Sequence, residues 1–279
     1  MSGPIVSVII PVHDRIELLM QAVASVRAQT YQAFELIVVD DGSRVPVASF
    51  LPKPEGIPPE PAKIVRIEHC GLPGQVRNEG ARRARGRFLA FLDSDDLWLT
   101  EKLFRQVEWH LGHPEIPISH TREIWIRGER EISQKGQRHR RAGDIFTDAL
   151  KKCIIGPSTT MIERSLFESV GGFRDDLEIA EDYELWLRIT DRFPVGYIDE
   201  GLTVKRAGHS QLSEKYGQIE NFRIAALQRL VDREIFTVAH RPEAREELSR
   251  KCAIYAAGCR KRGRTEDAAH YESLARVYR

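Results

Sequence analysis

The chain has 279 residues, 42% of them hydrophobic and 30% charged, with 42 lysines and arginines against 41 aspartates and glutamates. That supplies the core of one large α/β domain, or of one domain plus a helical addition, and the near-balance of charge gives no argument for a nucleic-acid partner. The cysteines Cys70, Cys153, Cys252 and Cys259 form no Cys-x-x-Cys pair and read as reduced, mostly buried thiols. The N-terminal apolar run, about seven residues, is too short for a signal peptide or a membrane span, so the expectation is a cytoplasmic protein, at most resting on the inner face of a membrane.

Residues 6–11 (VSVIIP) form a β-branched, nearly continuous apolar run, as expected of a strand buried on both faces. Asp14 and Glu17 then resemble a capping box, and Ile16, Leu19, Met20, Val23 and Val26 follow at helical spacing. Residues 34–39 (FELIVV) read as a second buried strand that runs into Asp40-Asp41-Gly42-Ser43. Strand, helix and strand in that order predict parallel pairing with a right-handed crossover. The proline-rich stretch 45–62 reads as a surface loop. A strand over 63–68, a helix over 74–85 and a strand over 87–92 complete the alternation of a nucleotide-binding α/β half.

Thr100 is placed to cap a helix carrying Leu103, Phe104, Val107 and Leu111. Irregular strands are expected over 117–134, a basic loop over 135–141, a strand over 158–162, a helix over 182–192, and a closing strand pair over 195–199 and 202–206. From about residue 216 the pattern is helical, ending in a tetratricopeptide-like hairpin around Gly263 with no second copy elsewhere.

Ligands bind outside the carboxyl ends of parallel strands, and two of these strands end in paired acids, Asp40-Asp41 and Asp93-x-Asp95-Asp96. Clustered carboxylates repel unless a cation or hydrogen-bond donors compensate them. Positions two apart in extended chain point the same way, so Asp93 and Asp95 can face one ligand. Hard oxygen donors in that arrangement suit Mn²⁺ or Mg²⁺. Asp96 has the alternative role of a turn or helix cap.

The segments VSVIIPVHDR, LIVVDDGS, GQVRNEGARRARGRFLAFLDSDD and GGF…EDYELWLR, in that order over residues 5–188, resemble the family-2 glycosyltransferases. The resemblance implies a GT-A fold: a Rossmann-like nucleotide-binding half with a mixed, mostly parallel sheet. It gives a catalytic domain over 1–214, followed by a C-terminal helical extension over 215–279 that the resemblance does not cover. It implies a metal-dependent, inverting transfer from a nucleotide-diphosphate sugar to a saccharide or lipid-linked acceptor, in polysaccharide or cell-surface glycan synthesis. On the matching positions, Pro11 and Val12 line the base pocket, Asp40 bonds base or ribose, and Arg77 and Asn78 lie near the nucleotide. Asp93 faces ribose or sugar, Asp95 holds the metal, and His209 closes over the diphosphate at the metal. Asp182 is the base. For Asp182 a helix cap is the alternative, with Glu181 as the base instead; for Arg77 the alternative is a solvated helix residue, and for His209 an ordinary loop histidine.

One base and one cation suffice for such a transfer, because a nucleoside diphosphate leaves without a proton when its charge is neutralised, whereas a hydrolase would want two flanking carboxylates. The basic run 135–141 is expected either to be solvated or to contact an acidic acceptor such as a lipid-linked diphosphate sugar. The C-terminal helices are expected to pack on the catalytic domain, with a homo-oligomer interface or a peripheral membrane face as the other readings. Two other functions fit the acidic α/β pattern, a sugar-phosphate nucleotidyltransferase and a non-catalytic nucleotide-sugar-binding module. The first lacks its usual glycine-rich loop here, where Pro11-Val-His-Asp-Arg15 stands, and the second is at odds with the intact acids.

Overall fold

The structure is a computed structural model and describes residues 5–51, 62–128, 130–133, 141–207 and 219–279. Its centre is a nine-stranded sheet in the order β3-β2-β1-β4-β8-β6-β9-β5, with β7 paired to β6. The strands are β1 (Val6–Val12), β2 (Phe34–Asp41), β3 (Lys63–Ile67), β4 (Phe88–Phe91), β5 (Leu97–Trp98), β6 (Ile118–Arg127), β7 (Arg130–Ile132), β8 (Thr160–Glu163) and β9 (Gly196–Ala207). The first half, β3-β2-β1-β4, is all parallel, and the sheet changes sense at β4, which pairs antiparallel with β8.

The two faces of β1 explain its unbroken apolar run. Val6, Val8, Ile10 and Val12 enter one core, with Leu19 and Val23 of α1 (Ile16–Arg27) and Leu103 and Val107 of α3 (Lys102–Gly112). Ile9 enters the other, with Val76 of α2 (Pro73–Ala81), Leu166 and Phe167 of α5 (Arg164–Ser169), and Leu185, Trp186 and Ile189 of α6 (Glu181–Thr190). Successive residues alternate faces, and helices cover both. At the turn after β2, Gly42 has φ +62°, and a Cβ there would lie 2.7 Å from the His69 nitrogen; glycine lets β2 and β3 end side by side.

A third core joins α4 (Phe146–Lys151) and α6 to α7 (Glu220–Asp232), α8 (Arg241–Lys261) and α9 (Thr265–Val277). Phe146, Tyr183 and Leu187 pack there with Ile224, Leu227, Leu248 and Cys252. The expected boundary at 214/215 lies outside the described residues, but the helices beyond it share this core with α4 and α6.

Several local expectations are corrected. The strand pair over 195–199 and 202–206 is one strand, β9, parallel to β6, with register shifts at Thr121/Arg122 and Arg122/Glu123 that absorb the Asp199-Glu200-Gly201 segment as a bulge. The capping box at Asp14 does not form: Asp14 has φ +50° and its carboxylate accepts from the Arg44 backbone and guanidinium N–H groups, both at 2.7 Å. Glu101, not Thr100, precedes α3, and the Thr100 carbonyl instead accepts the Thr30 N–H. Asp182 does not cap α6; Ala180, at φ +66°, holds that place and puts Glu181 and Asp182 in the first turn.

Candidate active site

Three chain segments meet at the carboxyl end of the parallel half. The first is the rim formed by β1, β2 and β3. Asp40 is fully buried, and its oxygens accept the N–H groups of Ser43 (2.9 Å) and Val47 (3.2 Å) and the Arg66 guanidinium (2.9 Å). It therefore organises the turn after β2. Asp41 accepts the backbone N–H groups of Cys70 (2.8 Å) and Gly71 (3.0 Å) and His69 Nδ1 (3.0 Å). His13 donates Nδ1–H to the Asp41 carbonyl at 2.7 Å, and the rings of His13 and His69 stack at 4.0 Å. Pro11 and Val12 end β1 behind this rim, with Val12 in register with Asp40.

The second segment is the acidic loop after β4. The Asp96 N–H donates to the Asp93 carbonyl at 3.0 Å, closing a tight turn. Asp93 accepts Arg77 Nη2–H at 2.6 Å, Asp95 accepts Arg15 Nη1–H at 2.8 Å, and the Arg206 Nε–H donates to the Asp95 carbonyl at 2.5 Å. Asp96 accepts the Ser158 hydroxyl at 2.6 Å and lies 3.5 Å from the Lys205 ammonium. Burial pushes Asp96 up to about 7, against Lys205 and with help from Asp93 and Asp95. Burial opposes charge on Lys205, yet Asp96, Glu123, Asp93 and Asp95 together hold it firmly protonated. Asp96 is thus an internal strut and no helix cap.

The third segment is the start of α6. Glu181 accepts Arg77 Nη1–H at 2.6 Å, so one guanidinium spans the acidic loop and the acidic helix. Arg77 is buried, with its guanidinium 5.4 Å from the Phe173 ring centre, which removes the solvated-helix reading. Burial pushes Glu181 up to about 7 despite Arg77, with Asp182 adding to the rise. Burial also works to raise Asp93, but Arg77 and Lys205 outweigh it and keep that carboxyl low. Asp182 accepts its neighbour's N–H (Tyr183, 2.6 Å) through one oxygen and the Cys153 thiol at 3.5 Å through the other. The positive end of the helix dipole favours both acids. Asn78, expected beside Arg77 near the nucleotide, spends its amide on both backbone groups of Phe173 (2.8 and 3.0 Å) and staples α2 to that turn.

Carboxylate oxygens of Asp93, Asp95 and Asp96 all lie within 4.8 Å of one another, a donor set that fits Mn²⁺ or Mg²⁺. The Asp93 and Asp95 side chains keep 24% and 12% exposure, against 3% for Asp96, so the first two are the more open of the three. His13, Asp41 and His69 form a second group of comparable spacing at the other rim. His209, and residues 135–140 of the basic run, lie outside the described residues. Arg141, at the end of that run, donates to the Tyr197 hydroxyl at 3.0 Å. Sequence reasoning missed Arg15, Cys153, Ser158 and Lys205. Only Arg15, directly after the His13-Asp14 pair, carried a visible hint.

A parallel α/β half, an acidic loop at its switch to antiparallel pairing, and an acidic helix end facing that loop define the class of the GT-A glycosyltransferases. The chain belongs to glycosyl transferase family 2, whose family description matches residues 7–171. The uncharacterized glycosyltransferase RC0461 of Rickettsia conorii is 30% identical over 204 residues, which are 72% of this chain and 32% of that protein. The chain therefore spans about a third of the length of that relative. WfgD of Escherichia coli, named a UDP-Glc:alpha-D-GlcNAc-diphosphoundecaprenol beta-1,3-glucosyltransferase, is 30% identical over 225 residues, 76% of this chain and 80% of its own. The mannosyltransferase PcManGT of Pyrobaculum calidifontis, solved in complex with GDP-Man and Mn²⁺, matches 99% of this chain and 87% of that one with a TM-score of 0.62 at 16% identity. Among the described residues no helix is long and apolar enough to cross a membrane.

Proposed function

We propose that the chain transfers a glycosyl group from a nucleotide-diphosphate sugar to a hydroxyl of a saccharide or lipid-linked acceptor, with inversion at the anomeric carbon. The observation that carries this reading is the Arg77 bridge, which ties the nucleotide-side acid Asp93 to the helix end bearing Asp182. The names of WfgD and PcManGT support a nucleotide-sugar donor, and WfgD supports a diphospholipid acceptor, which would bring the enzyme to a membrane face.

In this reading the rim of Pro11, Val12 and the Asp40-Asp41 turn shapes the base pocket, with Asp40 acting through the turn it holds. Asp93 faces the ribose or sugar, and Asp95, with Asp93 beside it, would hold Mn²⁺ or Mg²⁺. Such a cation, when bound, offsets the charge that grows on the departing diphosphate. Arg15 and Lys205 offset charge on the same side from within the chain. Asp182 accepts the acceptor hydroxyl proton as that oxygen attacks the anomeric carbon from the side opposite the diphosphate. The N–H of Tyr183 and the thiol of Cys153 hold its two oxygens for that approach.

Thermal-shift and donor-hydrolysis measurements over a panel of nucleotides and nucleotide sugars, with and without Mn²⁺, test the reading. Stabilisation by a nucleoside diphosphate that requires Mn²⁺ is expected. Preference for a nucleoside triphosphate with a sugar phosphate would sink it. Asp95→Ala is expected to lose Mn²⁺-dependent donor binding, and Asp182→Asn to keep donor binding while losing transfer by at least about 100-fold. The reverse pattern would overturn the two roles.

A further inference from the structure

β6 and β9 form a wall beside the acidic loop, where Lys205 of β9 reaches Asp96. After the register shift at Arg122/Glu123, Glu123 lies opposite Thr203, and Trp125 opposite Lys205. Opposed residues share a face, and residues two apart return to it, so Glu123, Trp125, Thr203 and Lys205 form one patch. Three contacts fix the direction in which the patch looks. The Thr203 hydroxyl donates to the Ser158 carbonyl at 3.2 Å, Lys205 reaches Asp96 at 3.5 Å, and Glu123 Oε1 comes within 2.5 Å of where Gly156 would carry a Cβ. The patch therefore faces segment 153–158, whose other end, Cys153, touches Asp182.

Trp125 is partly buried, and its indole N–H donates to Glu123 Oε2 at 2.8 Å, which fixes the ring and satisfies its polar edge. The Lys205 ammonium stands 5.8 Å from the ring centre. What such a ring offers a ligand is a flat apolar face, with a carboxylate at its edge and an ammonium over it. That combination suits a sugar, whose C–H face stacks on an aromatic while its hydroxyls bond to charged neighbours. The acidic loop and the rim of β1–β3 occupy the nucleotide side, so the sugar that meets this ring comes from the other substrate.

We infer that Trp125, held by Glu123, is a saccharide subsite that stacks a ring of the acceptor beside the transfer centre. The inference rests on the reading of the site as a glycosyl-transfer centre. Trp125→Ala and Trp125→Phe are compared with the unaltered chain in three assays: thermal shift with UDP or GDP and Mn²⁺, hydrolysis of nucleotide sugars by water, and transfer to a panel of alkyl glycosides and a GlcNAc-diphospho-alkyl compound. Expected for Trp125→Ala are unchanged nucleotide shifts, hydrolysis within about twofold, and an acceptor KM raised by about tenfold or more, with Trp125→Phe restoring most of it. Transfer by Trp125→Ala equal to that of the unaltered chain overturns the subsite, as does a parallel loss of nucleotide binding. Transfer by the unaltered chain to a non-carbohydrate hydroxyl alone would also overturn it. Absence of any nucleotide shift in the unaltered chain defeats the transferase reading itself, and the subsite with it.

Discussion

Arg77 is the residue on which the two acidic motifs depend. It gives one nitrogen to Asp93 and another to Glu181, and a guanidinium can hold two carboxylates at once because its donors sit in a rigid fork. Removing one partner from a buried ionic contact leaves the other uncompensated, so Arg77→Ala is expected to lower unfolding stability by about 3–5 kcal/mol, read by denaturant titration. Arg77→Lys keeps the charge and loses the fork. It is expected to retain more of the stability than Arg77→Ala and still to lose transfer by about tenfold or more, because a small misplacement of Asp182 against the donor is enough to do so. Equal kcat for Arg77→Lys and the unaltered chain would show that the bridge does not position the site. The acids were legible in the sequence because carboxylates at strand ends are costly and so point to a ligand. Their protein partners were not. Arg15 meets Asp95 across 80 residues, and Arg77 meets Glu181 across 104, separations that no local pattern encodes.

At the scale of elements, α2 is pinned where it must pass between the sheet and α6. A Cβ on Gly74 would lie 2.4 Å from the Arg174 carbonyl oxygen and 3.2 Å from Glu181 Cγ. The backbone oxygen cannot swing aside as a flexible side chain would. Gly74→Ala is therefore expected to destabilise by about 1–3 kcal/mol, more than the gain of up to about 1 kcal/mol that alanine brings to a helix. It should also weaken nucleotide binding, since α2 carries Arg77; thermal melts with and without nucleotide measure both. The elements of the first hundred residues were readable because strands buried on both faces have an unmistakable apolar form. The later ones were harder. The Asp199-Glu200-Gly201 segment reads as a turn by composition, but pairing with β6 continues through it as a bulge, and long-range strand pairing overrides the local signal. In the same way Asp14 had the spacing of a cap, and contact with Arg44 drew it elsewhere.

For the whole molecule, the C-terminal helices share one packed body with α4 and α6. Tyr183, next to Asp182, packs in the core shared with α7 and α8, and its hydroxyl donates to the Leu150 carbonyl at 2.6 Å. Lys251 of α8 donates to the Lys151 carbonyl at 3.0 Å and to Glu220 at 2.6 Å, and Asp191, just past α6, accepts from Thr237 and His240. Deleting residues 219–279 would bare Tyr183 and Leu187, so the truncated chain is expected to aggregate or to lose its cooperative melt, whereas the full chain melts in one transition by calorimetry. A truncated form that melts sharply and still binds nucleotide would show the helices to be dispensable. The helices themselves were legible from their periodicity, and their packing on the rest of the chain was the expected reading, which the shared core bears out. The particular neighbours, α4 and α6, were not legible, because the apolar stripe of a helix does not say which surface it will meet.

Asp93, Asp95 and Asp96 are met by Arg77, Arg15 and Lys205, with Arg77 shared between Asp93 and Glu181, so three bases face four acids, of which burial pushes Asp96 and Glu181 up to about 7. A centre already balanced from within exerts little pull on a dilute dication arriving by itself, since the field that would attract it is largely cancelled. The diphosphate brings the missing negative charge, so cation and donor are expected to enter as a single complex, and the free enzyme to discriminate poorly among divalent ions until the nucleotide is present.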